Sequence, residues 1–211
     1  MRTLVIGDIH GGLKGLIQLF EIANINSDDT LIFVGDYVDG WSESAQVIQY
    51  LIELSKINEC IFIKGNHDIW CEEWLRNGSN PLVWLSHGGH ETIQSYAKVS
   101  KEERSVHLSF FSRMKLFFID DDNRLFIHAG FTSTTGVKNE YIDRTFYFDR
   151  TLWEMALVLD KKIKKKSKFY PNRLTHYSEI YIGHTPTIYY DKRKPMNAAN
   201  VWNIDTGAAF T

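Results

Sequence analysis

Three short apolar runs in the first third of the chain each end in glycine and side chains that can bind a metal ion. They are followed by GDIHG at residues 7–11, GDYVDG at 35–40 and GNHD at 65–68. A glycine beside each ligand lets the backbone turn sharply and approach an ion closely. Carboxylate, amide and imidazole groups together suit divalent ions such as manganese, iron or zinc better than a thiolate site does. The candidate ligands are Asp8, His10, Asp36, Asn66 and His67.

Two histidines later in the chain stand in similar surroundings. His128 follows an apolar run and precedes Ala129-Gly130, and His184 follows the run ending at Gly183. We expect both to lie at strand ends and to add imidazole ligands to the same centre. Two ions held together need a ligand that both share, usually a bridging carboxylate.

The elements that must position these residues alternate between strands and helices. Apolar runs predict strands at residues 3–6, 30–34 and 60–63, and helical spacing predicts helices at 13–25 and 44–57. This alternation is typical of βαβ units with a parallel sheet, which collects ligand-binding residues at the carboxyl ends of its strands. The remaining strands follow helices, so we expect a second sheet.

Composition excludes several classes of protein. The 211 residues carry a net charge of −2, so no global field draws the chain to DNA or to a membrane surface. Two cysteines, Cys60 and Cys71, make a disulfide framework improbable. We identify neither a signal peptide nor an apolar run long enough to span a membrane, and we expect a cytoplasmic protein.

A lysine-rich segment at residues 161–168 is the one dense charge run, with six lysines in eight residues. It is interpreted either as a solvated helix end or loop, or as a basic lip that collects an anionic substrate. The helix predicted at residues 150–163 would lead into it.

The five glycine-containing motifs resemble those of the calcineurin-like metallophosphoesterases, and within them the phosphoprotein (serine/threonine) phosphatases of bacterial or phage type. That pattern reads GDxHG, GDxxDRG, GNH with Asp or Glu, HGG or HAG, and GH. The resemblance spans most of the chain and implies one metallophosphoesterase domain over residues 1–211. It also implies an α/β fold, a four-layer α/β/β/α sandwich with two packed mixed sheets flanked by helices.

The resemblance also implies a role for each residue. Asp8, His10 and Asp36 would hold one divalent ion. Asp36, Asn66, His128 and His184 would hold a second, with Asp36 bridging. Manganese is the expected metal, with iron or zinc as alternatives. A hydroxide shared by the ions would attack phosphorus, His67 would protonate the leaving oxygen, and Asp39 would orient His67.

One departure from the pattern bears on the substrate. The arginine that clamps the phosphate in GDxxDRG is replaced here by Gly40, followed by Trp41. Arg150 resembles a second phosphate-binding arginine of the family and is the expected substitute. An arginine–phosphate contact is strong and charge-assisted, so its loss at position 40 bears on substrate class.

The function expected first is that of a metal-dependent phosphoric ester hydrolase, a serine/threonine phosphatase whose partner is a phosphorylated protein or peptide. The alternative is a pyrophosphohydrolase acting on nucleotides, either dinucleoside polyphosphates or RNA 5′ ends. That activity favours an aromatic platform for a base, and the candidates are Trp41, Tyr37 and Phe131. A second alternative is a degenerate protein that binds metal without catalysis.

Overall fold

The computed structural model describes residues 2–210 and has an α/β fold with two sheets and surrounding helices. The chain forms two compact units. The first unit comprises the chain up to Lys115 together with the segment that begins at Ala208. The second comprises Leu116–Gly207. The single domain expected over residues 1–211 stays a prediction, and each unit is described by itself.

The first unit contains a three-stranded sheet that is parallel throughout. Its order is β1-β2-β3, and Ile6 of β1 pairs with Phe33 of β2, which pairs with Phe62 of β3. The strands are β1 (Thr3–Ile6), β2 (Thr30–Phe33) and β3 (Cys60–Phe62). The helices are α1 (Leu13–Ala23), α2 (Ser44–Leu54), α3 (Asn66–Asn77), α4 (Leu82–Trp84), α5 (His90–Ser95) and α6 (Lys101–Ser112), with a π-helical turn at Leu85–Gly89.

The core of this unit follows from the hydrophobic spacing of its elements. The middle strand β2 is apolar on both faces and buried from Leu31 onwards, as expected of a parallel strand covered on both sides. Helix α2 turns Val47, Ile48 and Leu51 inward, at the spacing that gives a helix one apolar face. This buried framework fixes the ends of the three strands.

The second unit contains a five-stranded mixed sheet of order β4-β5-β6-β8-β7. Strands β5, β6 and β8 run parallel to one another, and β4 and β7 pair antiparallel at the edges. The strands are β4 (Phe117–Ile119), β5 (Leu125–Ile127), β6 (Ile180–Ile182), β7 (Met196–Ala198) and β8 (Val201–Asn203). The helices are α7 (Arg144–Phe148) and α8 (Thr151–Val158), with 3₁₀ turns at Val137–Asn139, Asn172–Leu174 and Thr187–Tyr190.

The predicted α/β fold with two sheets is confirmed, with three differences of detail. The first sheet is parallel rather than mixed, and the sequence predicted no element at β7, α4 or α7. The helix predicted at residues 150–163 ends at Val158, because Leu159 adopts an extended backbone with ψ of 118°. Among residues 2–210, no helix has both the length and the apolar character needed to cross a membrane.

Candidate active site

The parallel register of the first sheet brings three of the glycine motifs to one edge. Each strand ends two to four residues before its candidate ligand, so Asp8, Asp36 and Asn66 follow neighbouring strand ends. The loops are then joined directly, because the backbone N–H groups of Ile9 and His10 donate to the Asp36 carbonyl over 2.9 and 3.0 Å. The predicted convergence at the carboxyl edge is confirmed for this unit.

The side chains of Asp8, His10 and Asp36 are nearly inaccessible and close enough to share an ion. Nε2 of His10 lies 3.9 Å from Oδ2 of Asp8 and 3.9 Å from Oδ2 of Asp36. Ligand atoms of this kind sit about 2.0–2.2 Å from a divalent ion, so atoms up to roughly 4 Å apart can bind the same one. One ligand atom from each of His10, Asp36 and His67 also lies within 4.8 Å of the others. The donor set therefore fits a divalent metal.

The Asp36 carboxylate is held in place by the loop that begins α3. A Cβ added to Gly65 would lie 2.1 Å from Asp36 Oδ1, so only glycine leaves room for this carboxylate. The backbone N–H of His67 donates to the same oxygen over 3.0 Å. Asp68 accepts hydrogen bonds from the backbone of Asp36, Tyr37 and Gly65 over 2.8–2.9 Å, so its role is to fix the two loops.

Four candidate site residues have left-handed backbones. The φ angles are 51° at His10, 54° at Asp36, 72° at Asp39 and 66° at His184. Such angles are uncommon in residues other than glycine, and they persist where the surrounding structure imposes them. These backbone conformations raise the free energy of the folded state, and they set the directions of the four side chains.

The expected pairing of His67 with Asp39 is present, and two further side chains support it. Nδ1 of His67 lies 2.6 Å from Oδ2 of Asp39, which also accepts a hydrogen bond from Trp84 Nε1 over 2.8 Å. Oδ1 accepts one from the Thr92 hydroxyl over 2.6 Å. This carboxylate is fully buried.

The electrostatics of the pair favour a proton on His67. Burial raises the pKa of Asp39, and the hydrogen bonds from His67, Thr92 and Trp84 oppose that shift. Burial lowers the pKa of His67, but Asp36 and Asp39 outweigh it and the net shift is upward. With Nδ1 engaged by Asp39, Nε2 is the nitrogen that can give a proton to a substrate.

Trp84 and Thr92 are the site residues that the sequence did not reveal. Neither residue stands in a motif, and an isolated tryptophan or threonine in a sequence indicates no more than packing. The available signal was Gly88-Gly89. Gly88 has φ of 96°, and a Cβ there would lie 2.3 Å from the backbone nitrogen of Gly40. This close approach brings α5, with Thr92, against the loop that carries Asp39.

The second unit aligns its two candidate ligands in the same manner. Strands β5 and β6 are parallel, and the N–H of Gly183 donates to the carbonyl of His128 over 2.8 Å just beyond their ends. The rings of His128 and His184 have centroids 5.2 Å apart, and Phe148 lies 6.2 Å from His184. His128 is fully buried. Two imidazoles are thus presented together at one sheet edge.

A model of the calcineurin-like phosphoesterase family matches residues 1–205. The chain belongs to this family. The phosphoesterase is 27% identical to the asymmetrical bis(5′-nucleosyl)-tetraphosphatase PrpE of Oceanobacillus iheyensis, over 100% of this chain and 85% of that protein. It is 24% identical to serine/threonine-protein phosphatase 1 of Salmonella typhimurium, over 98% of this chain and 86% of that protein.

Solved structures agree with the fold of the phosphoesterase. A protein serine/threonine phosphatase from Saccharomyces cerevisiae superposes with a TM-score of 0.62 at 18% identity, covering 96% of this chain and 66% of that chain. The expectation of a metallophosphoesterase is confirmed at the level of the family by the match over residues 1–205. Its substrate is taken up below.

Arg150 of the phosphoesterase lies at the start of α8 and is exposed. The side chain that caps this helix belongs to the preceding residue, since Asp149 accepts hydrogen bonds from the N–H groups of Thr151 and Leu152 over 3.1 and 3.0 Å. The lysine-rich segment beyond α8 forms turns. Phosphate binding by Arg150 stays a prediction.

The three aromatic candidates for a base platform differ in accessibility. Tyr37 and Phe131 are both 0% exposed, and the Tyr37 hydroxyl donates to the Ile63 carbonyl over 2.8 Å. Neither can stack on a substrate without unfolding its surroundings. Trp41 of the phosphoesterase is 44% exposed. It alone of the three offers a ring surface to a ligand.

Proposed function

We propose that this phosphoesterase hydrolyses dinucleoside polyphosphates, with diadenosine tetraphosphate as the representative substrate. The observation that carries the proposal is the loop between Asp36 and Ser44, which contains neither Arg nor Lys and exposes an indole instead. A loop of that kind favours a substrate with a flat aromatic group. The likeness to PrpE along the full chain supports the same substrate class. The protein phosphatase activity expected first has less support. The arginine of the GDxxDRG pattern is replaced by Gly40, and the Salmonella phosphatase is 24% identical to this chain, against 27% for PrpE.

We propose six residues as metal ligands for this activity. The first ion is assigned to Asp8, His10 and Asp36. The second would be held by Asp36, Asn66, His128 and His184, so that Asp36 would serve as the bridging ligand. Manganese is the proposed metal. Two such ions, when bound, activate a water for in-line attack on phosphorus and neutralise the phosphate oxygens.

His67 donates a proton from Nε2 to the leaving oxygen in this proposal. The need for that proton depends on the leaving group. The conjugate acid of a phosphate leaving group has a pKa of about 6, whereas that of an alkoxide leaving group is far higher, close to that of water. His67→Ala should therefore lower turnover of the dinucleotide by less than the roughly 10²- to 10⁴-fold that a general acid typically contributes. Arg150 is proposed to bind a phosphate oxygen.

The activity test uses two substrates side by side. The manganese-loaded protein is given diadenosine tetraphosphate, with nucleotide products separated, and a phosphoserine/phosphothreonine peptide mixture, with phosphate measured. Both assays are repeated after chelation. Metal-dependent turnover of the dinucleotide alone is the expected result. Turnover of the peptides alone would refute the proposal and return the protein to the phosphatase class.

The metal assignment is tested without turnover. Calorimetric titration of the metal-free protein with Mn²⁺ is compared for the wild type and for Asp36→Asn, with Asp28→Asn as the control because Asp28 is an exposed carboxylate outside the site. We expect Asp36→Asn to lose binding of both ions and Asp28→Asn to behave as wild type. Two ions bound at wild-type affinity by Asp36→Asn would contradict the bridging assignment.

A further inference from the structure

The position of Trp41 is coupled to the candidate metal ligands through the backbone. Its N–H donates to the carbonyl of His10 over 2.9 Å. Trp41 follows Asp39 and Gly40 directly. A Cβ added to Gly40 would lie 3.5 Å from both the Cβ and the carbonyl oxygen of His10, so Gly40 packs against His10. The indole therefore belongs to the same loop that positions His10 and Asp39.

The indole ring is fixed along one edge. Nε1 donates to the carbonyl of Ala208 over 2.7 Å, and Cδ1 lies 3.6 Å from the ideal Cβ position of Gly12. Both atoms belong to the five-membered ring, so the indole is held in place while the residue remains 44% exposed. A ring held in this way loses little conformational entropy when a ligand stacks on it.

The charge of the loop determines which part of a nucleotide Trp41 can contact. Residues 37–43 include Asp39 and Glu43 and no cation, so the loop disfavours phosphate oxygens. A nucleobase is uncharged and presents a flat π-face, and stacking on an aromatic side chain is tolerant of base type. We infer that Trp41 stacks on one nucleobase of a dinucleoside polyphosphate, an inference that rests on the proposed function.

The test separates recognition of the base from recognition of phosphate. Stacking is worth about 1–3 kcal/mol per base, which is roughly 5- to 150-fold in affinity. Trp41→Leu should raise KM for diadenosine tetraphosphate by that factor, and Trp41→Phe, which keeps a ring, should raise it much less. Both variants keep an apolar side chain, so both are expected to fold. Turnover of tripolyphosphate, which has phosphoanhydride bonds but no ring that could stack, should fall much less than turnover of the dinucleotide in each variant.

A binding measurement complements the kinetics. AMP and inorganic phosphate are titrated separately into the manganese-loaded protein by calorimetry. Trp41→Leu should weaken AMP binding by the same factor and leave phosphate binding unchanged. Leu19→Ala is the matched control, because Leu19 is 47% exposed on α1 and is assigned no role in the site. It should alter neither measurement.

The outcomes distinguish this inference from the proposed function. Equal KM values for Trp41→Leu and Trp41→Phe, with the dinucleotide still hydrolysed, would overturn the stacking inference and leave the proposed function intact. A parallel loss of phosphate binding would also overturn it, because the role of Trp41 would then be structural. Failure of the wild type to hydrolyse the dinucleotide would overturn both.

Discussion

Thr92→Val should lower the free energy of unfolding more than a Thr→Val change at a threonine bonded to a neutral group. The reason is that the Thr92 hydroxyl donates a hydrogen bond to the buried carboxylate of Asp39. Valine has nearly the same shape, so the change isolates the hydroxyl group. That hydroxyl donates to Asp39 Oδ1 over 2.6 Å and accepts from the backbone N–H of Asp39 over 2.9 Å. The N–H keeps a second acceptor in Ser44 Oγ at 3.0 Å, whereas Oδ1 loses a donor.

The magnitude follows from the charge of the acceptor. A hydrogen bond to a charged group contributes about 1.5–3 kcal/mol, and a neutral one about 0.5–1.5 kcal/mol. Thr187 supplies the comparison, since it is also 0% exposed but its hydroxyl donates to the neutral carbonyl of Lys192 over 3.0 Å. We expect a loss of about 2–3 kcal/mol for Thr92→Val and about 1 kcal/mol for Thr187→Val.

The assay is urea unfolding of the metal-free protein, followed by circular dichroism. Both variants are compared with the wild type at pH 7. The kcat for hydrolysis should fall in Thr92→Val, because His67 loses part of the support for its partner, and should stay within twofold in Thr187→Val. Equal stability losses in the two variants, or an unchanged kcat in Thr92→Val, would refute this reasoning.

Three further predictions concern metal binding and stability. Gly65→Ala should abolish Mn²⁺ binding in a calorimetric titration, because its Cβ would lie 2.1 Å from Asp36 Oδ1. The control is Gly15→Ala, a helical position where an added Cβ meets no atom within 4 Å. It should bind Mn²⁺ normally and gain about 0.5–1 kcal/mol in unfolding free energy. The hydrogen bond from Arg2 lowers the pKa of Asp29. The wild type should therefore exceed Asp29→Asn in unfolding free energy above about pH 4, and that advantage should disappear as pH falls through the folded-state pKa. Chelation should abolish phosphoester hydrolysis, and added Mn²⁺ should restore it.

The sequence predicts best the positions of those site residues that directly follow a strand. The register of parallel strands follows from their apolar runs, so the meeting of Asp8 and Asp36 at one edge could be predicted from glycine-bounded strand ends. The place of Asp68 directly after His67 indicates a residue that caps or orients α3, and it accepts a hydrogen bond from the Gly65 N–H there; its bonds to Asp36 and Tyr37 could not be predicted.

The remainder depended on contacts between distant segments. Thr92 lies 53 residues from Asp39 and Trp84 lies 45, and neither stands in a motif. Accessibility was equally hidden, since Tyr37 and Trp41 are both aromatic residues of one loop and only the structure separates the buried ring from the exposed one. The end of α8 at Val158 was missed because Leu159 continues the apolar spacing of the helix while its backbone is already extended.

The hydrogen bond from Trp41 to Ala208 joins residues 167 positions apart in sequence, which bears on how the protein matures. At a synthesis rate of about 5–20 residues per second, the ribosome needs roughly 8–33 s to make the intervening chain. The parallel sheet that carries Asp8 and Asp36 can form in that interval, but the indole has no acceptor at Ala208 until that residue emerges. The proposed ligands Asp8, His10, Asp36 and Asn66 are therefore synthesised long before the indole is locked, whereas the proposed ligand His184 emerges only shortly before Ala208.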